Sequence, residues 1–289
     1  MTTLFTILFD GAAYGMLLFV LSCGLAVTLG LMNFVNLAHG AFAMAGGYVC
    51  AVLVNQSGWP FFAALPIAFL ASALIGLVME QTLYKHLYRR NPLDQVLFTI
   101  GLVFMAVTAV DYFMGSSQVF IHLPAMLQGQ FELFGIGVGR YRLMIIVICG
   151  LLTVGIQLTL ARTRFGSRLR AAVDDPRAAS GLGINVPQVF ALTFAFGSGL
   201  AGLGGALGAE ILGLDPYFPL KFMIYFLIVV TVGGSQTITG PFLASLLLGV
   251  ADVAGKYYVP KLGAFVIYTV MIVILIWRPN GLFGRVAQR

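Results

Sequence analysis

The chain reads as a succession of apolar blocks separated by short polar interruptions. A helix needs roughly 20 apolar residues to cross a bilayer core of about 30 Å. By that measure the predicted spans are 11–31, 38–54, 59–79, 94–115, 143–160, 187–212, 222–238, 241–254 and 262–277. The blocks that begin at Ala38, Phe222 and Pro241 are short and rich in glycine, which predicts broken or re-entrant helices. The count is about nine, with eight or ten also compatible with the pattern. No Lys or Arg precedes Asp10, and the apolar run continues to Met32, too long for the core of a cleaved signal, so a retained first helix is expected.

Composition fixes the solvent. With 60% hydrophobic and 9% charged residues, the 289-residue chain has too little polar surface to cover itself in water. Its mean hydropathy of +0.99 says the same. The expected fold class is all-α, a polytopic integral membrane protein forming one transmembrane domain over residues 1–289. The formal net charge of +6 does not point to nucleic acid, because the cations sit in a few interruptions between apolar runs. Lys85, Arg89 and Arg90 form one cluster, Arg162, Arg164, Arg168, Arg170 and Arg177 a second, and Arg278, Arg285 and Arg289 a third. All three are expected to face the cytoplasm, with residues 116–140 outside. Parity from the second cluster to the tail allows four full spans, or two spans plus a re-entrant hairpin over residues 222–254. Cys23, Cys50 and Cys149 lie inside apolar runs without paired or metal-ligand spacing, and are expected to be buried thiols.

No catalytic constellation emerges. His39, His86 and His122 fall on different segments, and neither H-E-x-x-H nor G-x-S-x-G occurs. No lysine follows a G-x-x-x-x-G pattern, so the chain lacks a P-loop, and an ATP-driven process would need ATP bound on another subunit. No cofactor or metal is expected.

Two patterns stand out inside the apolar blocks. Asn33, Asn36 and His39 would fall within about a third of a helix circumference, and polar groups at membrane depth face protein or a wet cavity. Capping and cross-linking of helices near the interface explains them as well as substrate contact does. Small residues also recur at every fourth position as Gly197, Ala201, Gly205, Ala209 and Gly213, which lets helix backbones approach closely. Glu210 and Asp215, which close that block, and Asp111 and Asp252, near other span ends, are expected to be solvated. The candidate pathway set is Asn33, Asn36, His39 and Gly40 with Gly197, Gly205 and Gly208.

The second cationic interruption, residues 164–185, has more shape than a linker. Ser167 can cap one short helix, Asp175 and Pro176 read as N-cap and first residue of another, and Gly181 or Gly183 can end it. A pair of short helices at the membrane surface is predicted.

Three stretches carry a resemblance over nearly the whole length: Asn33-Phe-Val-Asn-Leu-Ala-His-Gly40 with Met44, Gly47 and Tyr48; residues 170–185; and Trp277-Arg-Pro-Asn-Gly-Leu-Phe-Gly284. In these the chain resembles permeases of the branched-chain amino acid ABC importers, the LivH type. The resemblance implies a multi-pass, type II-like importer permease in a bacterial inner membrane, and the cations of the tail predict a cytoplasmic C-terminus. It implies as partners a second, LivM-type permease, two ABC ATPase subunits and a periplasmic substrate-binding protein, all in membrane lipid. It also implies that residues 164–185 dock on an ATPase, with Arg170, Asp175, Pro176, Ala178, Ala179, Gly181 and Gly183 as the coupling residues. One turn departs from the family: Gly233-Gly-Ser-Gln-Thr-Ile-Thr-Gly-Pro241 has Gln236 and Thr239 where glycine and proline are common. The cargo stays open among branched-chain amino acids, urea, short amides and aromatic acids. A secondary transporter would need ion-coupling carboxylates deep in the membrane, and mid-span positions are nearly free of them. A membrane scaffold without a passage is the other alternative.

Overall fold

A computed structural model describes residues 2–30, 32, 34–88, 90–133, 136–234 and 239–283. The described chain is helical apart from one hairpin: α1 (Thr2–Gly30), α2 (His39–Ala51), α3 (Phe61–Thr82), α4 (Pro92–Met114), β1 (Gln130–Leu133), β2 (Ile136–Gly139), α5 (Arg140–Arg162), α6 (Arg164–Asp174), α7 (Pro176–Gly181), α8 (Val186–Leu212), α9 (Phe218–Gly233), α10 (Thr239–Tyr258) and α11 (Gly263–Trp277). Among the described residues, α1, α3, α4, α5 and α8 are long and apolar enough to cross a membrane, and α9 and α11 are shorter apolar helices. The fold is an all-α polytopic membrane architecture.

Local sequence explains where the helices begin and end. Asn91 and Pro92 open α4, whose first turn carries Asp94, and Gly115 at φ 81° ends it. Asn185 accepts a hydrogen bond from the Gln188 amide at 3.1 Å to open α8, and Gly213 at φ 69° ends that helix. Helix α2 has 13 residues, about 20 Å at 1.5 Å each, and continues into a π-helical turn, Val52–Gln56. It is the short helix that the glycine-rich block predicts. Pro219 in the first turn starts α9 earlier than the apolar pattern suggests.

Two helices form the centre. In the core window of α1, 83% of residues are buried, and in that of α8, 78%, against 33%, 17% and 22% for α3, α4 and α5. Helix α8 lies against α1, α2 and α3 together, while α10 climbs α1 in the antiparallel sense. A Cβ added at Gly15 would meet Leu246 Cα at 2.8 Å, and one at Gly11 would meet Val250 Cα at 2.6 Å. Phe242, near the start of α10, sets its ring edge-on to Phe19 at 5.2 Å, so the first turn of α10 meets α1 partway along its length. The chain after α11 folds back on α9, with the Leu282 amide donating to the Val232 carbonyl at 2.8 Å and Gly281 at φ 79°.

The two ends of the bundle differ. One carries the β1–β2 hairpin, paired in antiparallel register from Gln130↔Gly139 to Leu133↔Ile136. Here Asn55 donates to the Phe120 carbonyl at 2.7 Å and accepts from the His122 amide at 2.9 Å. Val119 and Leu214 exchange backbone hydrogen bonds of 2.7 and 2.9 Å, tying the loop after α4 to the exit of α8. The other end carries α6 and α7. The hairpin was not foreseen, because its strands of four residues are too short to register in a chain read for apolar blocks.

Candidate functional site

The break between α1 and α2 is held from outside itself. Gln95 Oε1 accepts from the Val35 amide at 3.0 Å, and Thr99 Oγ1 from the Leu37 amide at 3.3 Å. The Gln95 amide also donates to the carbonyls of Leu87 and Arg90 at 3.2 and 3.3 Å. Two polar residues one turn apart on α4 thus satisfy backbone that no helix or sheet satisfies, as buried polar groups require. Phe34 packs its ring edge against Tyr84 and Tyr88, with centroids at 5.4 and 5.3 Å.

Within that break the predicted pathway residues are packed. Asn33 lies outside the described residues. Asn36 is fully buried, and its Oδ1 accepts from the Ala38 amide at 3.1 Å, an Asx turn that opens α2. Its Nδ2, like the Tyr48 hydroxyl, has no partner among the described residues. His39 Nε2 lies 2.9 Å from the Leu21 carbonyl, and since a carbonyl only accepts, Nε2 carries the proton. The imidazole stands edge-on to Phe226 at 6.2 Å, so α1, α2 and α9 meet at this ring. Gly40 lies against Pro219, where an added Cβ would come within 2.9 Å of its Cα.

Helix α8 is approached on several faces. Gly197 meets Gly24 of α1, where a Cβ would stand 3.0 Å from the Gly24 Cα. Gly205 meets the backbone of Ala43 on α2, and a Cβ there would overlap the Ala43 carbonyl. Gly208 is less confined, with Leu212 and Leu17 side-chain atoms at 3.2 and 3.5 Å. Gly199 and Gly202, outside the four-residue repeat, meet Phe69 and Ser72 of α3. Gly197 lines an apolar space of about 290 Å³ between α1, α5, α6 and α8 bounded by Cys23, Ile156, Phe165, Leu192 and Phe196.

The surface pair α6 and α7 forms as the sequence predicts, with one correction. Thr163, not Ser167, caps α6, accepting from the Gly166 amide at 3.2 Å; Ser167 lies inside the helix and donates to the Arg164 carbonyl at 3.0 Å. Gly166 has to stay a glycine because its position abuts the Leu160 backbone. Asp175 Oδ1 accepts from the amides of Arg177 and Ala178 at 2.9 and 3.0 Å, with Pro176 in the first turn. Helix α7 ends at Gly181, and Gly183 takes the left-handed conformation at φ 80°.

The residues that the sequence predicts to couple point in different directions. Ala179 is buried with Leu169, Ala172, Val186 and Val189, which seats α7 on α6 and α8. Arg170 donates to the Leu160 carbonyl, fastening α6 beneath the last turn of α5. Ala178 and Arg177 are exposed, and Leu182 presents an apolar side chain that is 82% exposed.

Two acidic positions expected to be solvated are buried instead. Asp215 is ion-paired with Lys221, and Asp252 with Lys256 at 2.6 Å. In each case a lysine follows within six residues, a local signal that a search for span ends passes over. Of the glycine turn that departs from the family pattern, residues 235–238, Gln236 among them, lie outside the described residues, while Thr239 begins α10.

With this geometry in place, the chain can be set beside known proteins. The family described as "Branched-chain amino acid transport system / permease component" matches residues 7–275. The high-affinity branched-chain amino acid transport system permease protein BraD of Pseudomonas aeruginosa is 27% identical, covering 96% of this chain and 95% of its own. The corresponding LivH of Escherichia coli K12 is 26% identical over 96% of this chain and 94% of its own. The corresponding LivM of Salmonella typhimurium is 25% identical over 94% of this chain and 69% of its own. No solved structure matches.

Proposed function

The chain belongs to the branched-chain amino acid transport permease family, and from that premise we propose that it is one permease subunit of an ATP-driven, binding-protein-dependent importer. It pairs with a second, LivM-type permease, and two ABC ATPases close beneath the pair. A periplasmic protein delivers a branched-chain amino acid or a related small organic solute. The chain lies in the inner membrane as one domain, with the α6–α7 end and the C-terminus in the cytoplasm and the β-hairpin end outside. The ATP is bound and hydrolysed on the separate subunits.

The observation that carries this reading is the platform built from α6 and α7. Asp175 caps it, Gly183 stops it, and Ala179 and Arg170 lock it to α8 and α5. A push applied to the platform is thereby delivered to the central helix. Its free surface offers Arg177, Ala178 and Leu182, a small apolar knob among cations and suited to a groove on an ATPase. The pathway runs beside the broken crossing, where the buried Asn36 amide keeps a spare donor for a passing polar group. Gly40, Gly197, Gly205 and Gly208 let the helices around it slide on one another.

The test is a complete importer in proteoliposomes. Ala178→Trp or Leu182→Glu should leave membrane insertion intact, weaken co-purification of the ATPases, and lower uptake and substrate-stimulated ATP hydrolysis about tenfold, the effect of losing an anchor worth about 1.4 kcal/mol. The same Trp at Gln128, in the exposed loop of the hairpin end, should do little. Undiminished co-purification, ATPase stimulation and uptake in both variants would remove the platform as the coupling surface.

A further inference from the structure

At the hairpin end, α1, α5, α8 and α10 enclose a second cavity, of about 270 Å³. Two ion pairs stand on its wall: Asp10 of α1 with Arg142 of α5, and Asp252 with Lys256 one turn later on α10. The charges are layered by depth. The Asp252 side chain is 1% exposed and that of Asp10 18%, while Arg142 and Lys256 are 47% and 56% exposed. Lys256 is further held at the rim by the Tyr14 ring, 5.4 Å from its Nζ. The remaining wall is aliphatic, from Ile211 and Leu212 of α8 and Val253 of α10.

One atom in this arrangement is unaccounted for. Lys256 takes Asp252 Oδ2, but Asp252 Oδ1 is buried with no partner among the described residues. A carboxylate oxygen out of water and without a donor is costly, and ionisable groups at such depth mark places where something polar is bound. Mutual neutralisation of two ion pairs would need neither a cavity between them nor a spare oxygen.

From this geometry we infer that the cavity binds the zwitterionic head of an aliphatic α-amino acid. The ammonium faces Asp252 Oδ1 and Asp10 at the floor, the carboxylate faces Arg142 and Lys256 at the rim, and the side chain lies on Ile211, Leu212 and Val253. Two acidic and two basic groups suit a ligand that carries both charges and disfavour one that carries a single charge, which leaves two like charges facing it unmatched. The volume lies just under the roughly 300 to 1,000 Å³ of pockets that take drug-sized molecules, in keeping with a smaller guest. The inference deepens the importer reading and takes the aliphatic ligand class from it.

The test uses the full chain in lipid nanodiscs, with Val253→Cys as a reporter for methyl methanethiosulfonate; the native cysteines are all buried. L-Leucine at twice its dissociation constant should slow modification about threefold. Leucinamide, which lacks the carboxylate, and 4-methylpentanoate, which lacks the ammonium, should give no protection at the same concentration. Adding Asp252→Asn or Arg142→Gln should abolish protection by leucine, judged for each variant against its own rate without ligand. Ile211→Cys, on the facing wall, repeats the measurement if the first reporter reacts poorly. Equal rates with and without leucine, equal protection by all three compounds, or full protection in both charge variants would each overturn the assignment. ATP-driven leucine uptake by the reconstituted importer, together with a lack of protection, would leave the importer standing and remove this site. Protection without uptake would do the reverse.

Discussion

A single methyl group is enough to measure how closely α8 is approached. In Gly205→Ala the new Cβ would overlap the Ala43 carbonyl, so backbone must move, and overpacking of this kind costs about 1–3 kcal/mol. In Gly208→Ala the nearest atoms are the mobile ends of Leu212 and Leu17 at 3.2 and 3.5 Å, and the gain in helix propensity offsets the crowding. Thermal unfolding of the purified chain in detergent should therefore show a midpoint several degrees lower for Gly205→Ala and one close to wild type for Gly208→Ala. Equal midpoints would mean that the α2–α8 contact can relax freely. The close approach was legible in the four-residue repeat from Gly197 to Gly213. Gly199 and Gly202 were not, because a single stripe identifies one face and α8 is enclosed on several. The buried state of Asp252 was missed for a related reason: position near a span end suggests water, and only the Lys256 that follows one turn later hints otherwise.

Between elements, the informative object is the non-helical crossing that Gln95 and Thr99 hold in place. Gln95→Leu takes from the Val35 amide and the Arg90 carbonyl the side-chain partner they have here, while the Leu87 carbonyl keeps the Arg90 amide at 2.9 Å, and an unsatisfied buried group costs about 1–3 kcal/mol. Hydrogen exchange followed by mass spectrometry should show faster exchange in peptides covering residues 34–40 of this variant, with peptides from α6 and α7 unchanged. Unaltered exchange at 34–40 would show that the crossing is held by its own packing. Asn36 and His39 announced themselves as polar residues in an apolar block, yet what anchors the backbone beside them lies about sixty positions downstream, as the separation of Val35 from Gln95 shows. The available signal was a glutamine and a threonine four apart, on the face of α4 that continues with Val103 and Val107. The platform was easier to foresee, because a cap, a proline and a stop glycine act within a few residues of one another.

For the whole molecule, the arrangement of ends sets a directional expectation. If cations mark the cytoplasmic side, Gln128→Cys should react with an impermeant maleimide in intact spheroplasts, and Arg90→Cys only after permeabilisation, the native cysteines being buried. Reaction at position 90 in intact spheroplasts would invert the proposed orientation. Apolar blocks revealed the class of architecture directly, whereas the centrality of α1 and α8 did not appear, since a helix facing lipid and one facing protein are equally apolar. The way α10 climbs α1 also imposes an order on manufacture. Gly11 and Gly15 leave the ribosome about 235 residues ahead of Val250 and Leu246, the residues that cover them. At about 5–20 residues per second the notch on the first helix stands open for roughly ten to fifty seconds. During that interval the helix has to be shielded by lipid, by an insertion factor or by a transient neighbour. A nascent chain stalled before residue 239 would present the quality-control machinery with a first helix still lacking its cover.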